Sequence, residues 1–247
     1  MKLSRLLTVC AAVLCAVSMC ACGQKETPVL RMATNAEFPP YEYYNDKGEI
    51  VGIDAEIAKA IADDLGYKLE IIDMDFGSVP SSVENDTADI AVAAMSVTEE
   101  RLQQVDFSDS YAAAVQLIVV PDGSQISTPS DLVGKRVGVQ IHTTGESFAS
   151  EIEDATIQSY NKGREAIDAL KNGEIDAVVI DSEPAKVFAE ENSGVLHIID
   201  EPLTQEEYAI GVKKGNDKLL KKINESIAKL KDSGKLDEIM AKYINAD

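Results

Sequence analysis

The stretch ADIAVAAMSVTEER, residues 88–101, joins a short apolar run to a predicted helix start. The run from 90 to 95 is short and continuously apolar, which favours a buried strand. Ser96 and Glu99 have the spacing of a capping box, so we predict a helix that begins at Ser96 and holds Arg101 in its first turns. The free N–H groups of a helix start favour an anion, and arginine can bind a carboxylate through two hydrogen bonds. An ordinary turn with a solvated arginine also fits this stretch.

Strand and helix signals alternate on both sides of residues 88–101. Apolar runs predict strands at residues 29–33, 68–72, 115–120, 136–140, 156–160, 176–180 and 195–199. Asp54 is predicted to cap one helix, and Gly66 to end it. Thr143 and Glu146 again have the spacing of a capping box, which predicts another helix. The alternation indicates an α/β fold.

Two segments of the chain resemble each other. Residues 85–92 read NDTADIAV and residues 172–179 read NGEIDAVV, each a helix exit followed by an acidic residue and an apolar strand. The echo predicts two similar α/β lobes rather than one large sheet. Ligands of such sheets bind beyond the carboxyl ends of the strands, which places Arg101 at the edge of one lobe and Asp181 at the edge of the other.

The net charge excludes some classes of partner. The chain carries a formal charge of −20, and loss of Lys2 and Arg5 with a leader peptide would lower it to −22. A field of this sign does not attract nucleic acid or anionic lipid. Solubility is the simplest explanation of the charge.

The first residues are typical of an export signal. Lys2 and Arg5 precede an apolar segment, residues 6–19, that is too short to span a bilayer comfortably. Cys22 follows a small residue and precedes glycine, which resembles the lipobox of bacterial lipoproteins. We therefore predict a lipoprotein signal peptide at residues 1–21, a lipidated Cys22 and a polar tether at 22–28. Cys20 as the lipidated residue, or a plain signal peptide, are the alternatives.

All four cysteines lie in this leader segment, at positions 10, 15, 20 and 22. The mature chain is therefore predicted to contain no disulfide and no thiolate metal site, and we expect no cofactor.

Several motifs occur together and in order along the mature chain. They are NAEFPPY (35–41), GIDAEI (52–57), MDF (74–76), MSVTEER (95–101), DFSD (106–109), TT (143–144), DAVVID (176–181) and EYAI (207–210). Taken jointly, they resemble the amino-acid-binding proteins of ABC importers, which are periplasmic proteins or lipoproteins of solute-binding family 3, the polar amino acid class.

The resemblance implies a two-lobed flytrap fold, in which each lobe is a mainly parallel sheet flanked by helices and two strands cross between the lobes. Lobe 1 would comprise residues 29–113 and 209–247, and lobe 2 residues 114–208. A monomer of this kind captures a free L-amino acid between the lobes and delivers it to an ABC permease and its ATPase. It would touch the membrane only through a lipid anchor, such as palmitate, on the extracytoplasmic face.

The resemblance also implies roles for individual residues. Arg101 would bind the α-carboxylate of the ligand, and Asp181 the α-ammonium with help from the Ala93 or Ala94 carbonyl. The implied ligand-binding set is Asn35, Phe38, Phe76, Ala93, Ala94, Ser96, Arg101, Thr143, Thr144 and Asp181. Within it, Phe38 and Phe76 would pack on the ligand side chain, Asn35 and the neighbouring Glu37 would lie near the specificity region, and backbone N–H groups near Ser96 and Thr144 would assist Arg101. These roles agree with the chemistry of a zwitterion, since burying either of its charges unpaired is costly.

Two positions depart from the family pattern. Ala94 stands where many relatives carry serine, threonine or glycine, so a hydroxyl contact would be missing. His142 stands where glycine is usual before the threonine pair. It can face solvent, narrow the cleft or touch a ligand side chain.

Two other functions fit the same fold. One is a dehydratase of a prephenate-like acid, although the sequence has no nucleophile–base pair, HExxH motif or Walker loop, and its two histidines, His142 and His197, are far apart. A carboxylic acid such as Glu183 could still serve as the acid of such an enzyme. The other is a sensor domain, for which we would expect a spanning helix or signalling domain after Asp247. We expect a binding protein for a polar or basic amino acid, with glutamine and cystine also open.

Replacement of the lipidated cysteine tests the anchor. Cys22→Ala should abolish lipidation and release the protein from the membrane fraction, because a cleaved chain without acyl groups has no apolar anchor. Fractionation with a blot for the protein measures this, and Cys20→Ala is the matched control. A cleaved Cys22→Ala protein that still sediments with membranes would contradict the lipoprotein assignment.

Overall fold

Two five-stranded sheets organise the chain in the computed structural model, which describes residues 27–244. The predicted signal peptide, Cys22 and most of the 22–28 tether lie outside the described residues. Across 27–244, no helix is long and apolar enough to cross a membrane.

Lobe 1 is the unit built on the sheet with strand order β5-β1-β6-β15-β7. Its elements are β1 Val29–Thr34, β2 Glu37–Phe38, β3 Glu42–Tyr44, β4 Ile50–Val51, α1 Ile53–Leu65, β5 Lys68–Asp73, α2 Val79–Glu84, β6 Ile90–Ala91 and β7 Val105–Phe107, with short 3-10 helices at Phe76–Ser78 and Arg101–Gln103. The C-terminal part of the chain completes this lobe with β15 Gly211–Lys213, α6 Asp217–Asp232 and α7 Lys235–Tyr243. Strands β2, β3 and β4 form a separate small sheet.

Lobe 2 is the unit built on the sheet with strand order β11-β10-β12-β9-β13. Its elements are β9 Gln116–Pro121, β10 Arg136–Gln140, α3 Thr144–Ser150, β11 Thr156–Tyr160, α4 Gly163–Lys171, β12 Ala177–Asp181, α5 Ser182–Glu191 and β13 Leu196–Ile199, with a 3-10 helix at Pro129–Leu132. The central strands β9 and β12 are buried on both faces, as their continuous apolar runs predict.

The two sheets have the same topology. In each, four strands run in one direction and one strand, β15 or β9, runs against them. The reversed strand of each sheet follows a crossing from the other lobe. The two crossings, β8 Ala112–Ala114 and β14 Glu206–Tyr208, pair antiparallel with each other. The predicted two-lobed α/β fold with two crossing strands is therefore confirmed.

Two of the predicted helix starts are wrong. Ser96 lies in an isolated bridge with Tyr208 and caps no helix, since Thr98 Oγ1 accepts the Arg101 N–H at 3.1 Å instead. Helix α1 begins after Gly52, and Asp54 lies inside its first turn, fully buried, without capping it. In both cases the polar side chain forms tertiary contacts that are unavailable to an isolated segment. The Gly66 terminus of α1 is confirmed, as its left-handed φ of 71° shows.

The capping box at the start of α3 is confirmed in a modified form. Thr143 Oγ1 accepts the Glu146 N–H at 3.2 Å, as predicted. The Glu146 carboxylate, however, accepts the N–H of His142 at 2.7 Å, one residue before the cap.

The sequence echo corresponds to one ion pair in each lobe. The Arg31 backbone N–H and side chain bind the Asp89 carboxylate, with a side-chain N···O distance of 2.8 Å, and Arg136 binds Asp176 likewise at 2.6 Å. Each pair ties the start of the first parallel strand to the residue before a central strand. Arg136 lowers the pKa of Asp176. Burial opposes the corresponding effect at Asp89, but the bonds from Arg31 still lower its pKa.

The Arg31–Asp89 and Arg136–Asp176 pairs should contribute equally to the free energy of unfolding. Asp89→Ala and Asp176→Ala are each expected to lower the free energy of unfolding by about 1 kcal/mol at pH 7, since the pairs are partly exposed but also bind a backbone N–H. Because the folded pKa values are lowered, the loss should fade as the pH drops below about 4. Urea unfolding at pH 7 and pH 3 measures both effects. Asp63→Ala, which breaks an exposed pair with Lys59, is the control. A loss in only one lobe would contradict the equivalence.

Candidate functional site

A small cavity lies between the two lobes, at the carboxyl ends of strands from both sheets. Its lining residues are Asn35, Phe38, Glu42, Phe76, Ala93, Ala94, Ser96, Arg101, Gln140, Thr143, Thr144 and Asp181. The structure therefore brings together all ten residues of the predicted ligand-binding set. Glu37 is not part of the lining and pairs instead with Lys162.

Arg101 forms the cationic part of the cavity wall. Its guanidinium is 8% exposed and lies over the Phe76 ring, with the Cζ atom 5.1 Å from the ring centroid. Nη1 donates to the Ser96 carbonyl at 2.8 Å, and Nη2 donates across the cleft to the His142 carbonyl at 3.0 Å. Burial lowers the pKa of Arg101, and the charges of Asp181 and Glu206 partly offset this effect. Backbone carbonyls and an aromatic face thus hold the fork in one orientation.

Asp181 supplies a carboxylate from lobe 2. It ends β12 and occupies the position before α5, but its side chain forms no cap and lines the cavity instead. The Tyr208 hydroxyl, from the crossing strand β14, donates to its Oδ1. Burial raises the pKa of Asp181 to about 6, with Glu206 adding to the effect, while the bonds from Tyr208 and Gln116 act in the opposite direction. Near neutral pH the group is an ionised carboxylate poised close to its titration range.

Glu206 joins the two lobes beside the cavity. Its Oε2 accepts the Ser96 hydroxyl of lobe 1 at 2.5 Å and the Thr144 hydroxyl of lobe 2 at 2.7 Å, and its Oε1 accepts the Thr204 hydroxyl at 2.7 Å. The hydroxyls of Ser96 and Thr144 are therefore directed at this carboxylate. Their backbone N–H groups remain the donors to consider for a ligand.

Other contacts cross the cleft near its ends. Gln140 Nε2 donates to Asn35 Oδ1 at 3.0 Å, and Asn35 Nδ2 donates to the Met74 carbonyl at 2.8 Å. His142 has a φ of 65°, and its ring packs so tightly on Gly77 that a Cβ there would lie 2.3 Å from Cδ2. His142 lies at the outer opening of the cleft and is absent from the cavity lining.

Sequence reasoning missed several residues around the cavity. Glu42 and Gln140 line it, and Tyr208 and Glu206 hold its polar groups. The place of Gln140 in the lining could have been predicted from the sequence, because this residue lies at the end of a predicted strand, as Asp181 does. The crossing strand that carries Glu206 and Tyr208 held no such signal, since its position beside the cavity depends on how the lobes meet.

The chemistry of the cavity favours a small zwitterion. Arg101 and Asp181 bring a buried guanidinium and a buried carboxylate to it from opposite lobes, which match a carboxylate and an ammonium on one molecule. Apolar walls from Phe38 and Phe76 lie between them. In residues 27–244 no group of three or more potential metal ligands clusters.

Comparison with known proteins agrees with this chemistry. The family described as bacterial extracellular solute-binding proteins, family 3, matches residues 30–246. A probable histidine-binding protein of Neisseria gonorrhoeae is 33% identical over 87% of this chain and 82% of its own length. The glutamine-binding protein GlnH of an ABC transporter of Bacillus subtilis is 36% identical over 81% of this chain and 75% of its own. An ancestral arginine-binding protein bound to arginine has a TM-score of 0.85 and 38% identity, covering 88% of this chain and 98% of its own.

The raised pKa of Asp181 predicts a cost in stability. Between the unfolded pKa of about 3.9 and the folded pKa of about 6, the carboxyl group is ionised in the unfolded chain but protonated in the folded protein. The free energy of unfolding therefore falls as the pH rises through this range. Asp181→Asn, which keeps an acceptor for Tyr208, is therefore expected to raise the free energy of unfolding of the ligand-free protein by about 2 kcal/mol at pH 7.

Chemical denaturation from pH 4 to pH 8 measures this effect. The advantage of Asp181→Asn should be smallest near pH 4, where the carboxyl is protonated in the folded protein and only about half ionised in the unfolded chain. Asp122→Asn, on an exposed residue of the same lobe, is the control. An unchanged or lower stability of Asp181→Asn at pH 7 would show that the charge is compensated within the fold.

Proposed function

This chain belongs to the bacterial extracellular solute-binding proteins of family 3, and we propose that it binds its ligand through Arg101 and Asp181. It captures a free amino acid in the cleft between its lobes and serves an ABC importer. The relatives named above bind histidine, glutamine and arginine by their descriptions, so the ligand belongs to the polar or basic amino acids.

One observation carries the proposed site. Arg101 from lobe 1 and Asp181 from lobe 2 line the same small cavity and are 8% and 6% exposed. An α-carboxylate on Arg101 and an α-ammonium on Asp181 would leave both protein charges paired. Because the two groups belong to different lobes, the ligand itself stabilises the closed arrangement.

The other lining residues have subordinate roles in this proposal. Phe38 and Phe76 pack on the ligand side chain, and the carbonyl of Ala93 or Ala94 assists with the ammonium. Asn35 and Gln140 meet at the side-chain end of the cavity, where their amides can donate and accept. The lobe boundaries at 29–113 with 209–247, and 114–208, also stay a proposal.

The ligand class follows from the charges that face the cavity. Asp181 and Glu42 line it together with one cation, Arg101. A polar or basic side chain suits this lining better than an acidic one, which would add a third carboxyl group beside a single cation that already binds the α-carboxylate. A thermal-shift screen of the twenty amino acids and cystine identifies the ligand, because a molecule that binds only the folded state raises its melting temperature.

We also propose a binding protein rather than an enzyme, anchored on the extracytoplasmic face of the membrane through Cys22. The relatives reported above are named for binding, which supports the first part. Monitoring prephenate against a protein-free blank tests it directly, and turnover would revive the dehydratase alternative. The motif around Cys22 supports the anchor.

Truncation of the two charges tests the site. Arg101→Ala and Asp181→Ala should each weaken binding of the screened ligand by about thirty-fold to several-thousand-fold, since removing one partner of a buried charge pair costs roughly 2–5 kcal/mol. Arg101→Lys should recover only part of the loss, because a point charge does not reproduce the planar fork. Isothermal titration measures these affinities.

Ligand analogues show which end each residue binds. A ligand whose α-carboxylate is replaced by an amide should bind the wild type weakly, and Arg101→Ala should reduce its affinity little further. A ligand that lacks the α-amino group should likewise bind the wild type weakly, and Asp181→Ala should reduce its affinity little further. Circular dichroism confirms that each variant folds, and Arg164→Ala, on an exposed pair of lobe 2, is the matched control. Wild-type affinity in Arg101→Ala would place the carboxylate elsewhere.

A further inference from the structure

Two buried carboxyl groups, one in the cavity wall and one behind it, take no part in the charge pairing proposed for Arg101 and Asp181. Glu42 on β3 is 1% exposed and lines the cavity, and Asp54 on α1 is fully buried behind it. Glu42 Oε2 and Asp54 Oδ1 are both buried without a hydrogen-bond partner among the described residues. The two carboxyl groups lie within hydrogen-bonding reach of each other, and two ionised carboxylates there would repel each other and leave both atoms without a donor.

We propose that Glu42 and Asp54 share one proton, and that this pair is the positioning element that holds the Ala93–Ala94 wall of the ligand cavity. A proton between the two carboxyl groups supplies the partner that both orphan oxygens lack. The proton resides on Glu42, because Asp54 already accepts two hydrogen bonds on its other oxygen and acts as the ionised acceptor.

The contacts of Asp54 explain how the wall is held. Its Oδ2 accepts the Ala94 N–H at 2.7 Å and the Tyr111 hydroxyl at 2.9 Å. Ala94 has a φ of 45°, a left-handed conformation that alanine rarely adopts without external support. The Tyr111 N–H donates to the Tyr208 carbonyl at 2.9 Å, so the same carboxylate also ties the wall to the crossing strands. Asp54 thus orders backbone that the proposed function uses for the ligand ammonium.

The electrostatic surroundings support a protonated Glu42. The charged groups that act on it are Asp54 from α1, Asp73 from β5 and Asp181 from β12, all of them acidic. The phenols of Tyr41 and Tyr111 also adjoin the pair. Burial, followed by the charge of Asp54, raises the pKa of Glu42 well above its usual range, and burial raises the pKa of Asp54 to about 7.

The shared proton makes a prediction that needs no ligand. A carboxyl with a raised folded pKa lowers stability as the pH rises above its unfolded value of about 4.3. Glu42→Gln donates an amide proton to Asp54 permanently and avoids this cost. Its melting temperature should therefore equal that of wild type near pH 4.5 and exceed it by a margin that widens up to pH 8. A margin that does not change with pH would overturn the shared proton.

The positioning role rests on the proposed function and is tested by titration with L-arginine and L-glutamine. Asp54→Ala and Glu42→Ala should weaken whichever of them wild type binds by about tenfold or more, since a charged hydrogen bond to the wall is lost. Glu42→Gln should recover most of that affinity. Asp63→Ala, an exposed substitution on the same helix, is the matched control.

Each other outcome has a distinct meaning. Asp54→Ala that melts lower but binds as wild type would overturn the positioning role. Glu42→Gln that loses L-arginine but keeps L-glutamine would also overturn it and would make Glu42 a charged contact for the ligand side chain. If wild type binds neither probe, the proposed ligand class fails, while the melting profile still decides on the proton.

Discussion

Burial of opposite charges on the two sides of one cleft is the constraint on which the other features depend. A guanidinium or a carboxylate withdrawn from water requires partners, and the fold supplies them from backbone and hydroxyl groups. Arg101 rests on two carbonyls and an aromatic ring, while Asp181 accepts the hydroxyl of Tyr208. Within residues 27–244, neither group forms an ion pair with an opposite charge of the protein. A zwitterion is therefore the natural complement of this pair of groups.

The two crossing strands, β8 and β14, lie beside this cleft because the chain passes from one lobe to the other twice. Strands β9 and β15 each enter a sheet from the other lobe, so β8 and β14 pass side by side between the sheets. Glu206 and Tyr208 lie on β14 and reach groups of both lobes. The crossing segment thus also carries the polar groups that contact Ser96, Thr144 and Asp181, which gives the two lobes shared hydrogen bonds beside the cavity.

The acids around the cavity are buried at a cost in stability. Asp181, Asp54 and Glu42 all have raised pKa values because they are buried, and each contributes less to stability as the pH rises. Asp89 and Asp176, at the opposite ends of the sheets, have lowered pKa values because they face arginines. The contrast separates carboxylates that stabilise the lobes from those that shape the site.

The sequence by itself determined the α/β class and most strand positions, because apolar periodicity is a local property, and its internal echo indicated two similar lobes. The ten residues that line the cavity were implied by the resemblance of the ordered motifs to a known family rather than by periodicity. Sequence reasoning misjudged Ser96 and Asp54 as helix caps, since a serine or aspartate near a helix start satisfies the local pattern whether or not its side chain bonds there. Only the tertiary structure decided that Ser96 binds Glu206, that Asp54 holds Ala94, that His142 packs on Gly77 and that Glu42 faces the cavity. Each of these contacts joins segments distant in sequence, so its energy depends on packing and desolvation that exist only after the lobes have formed.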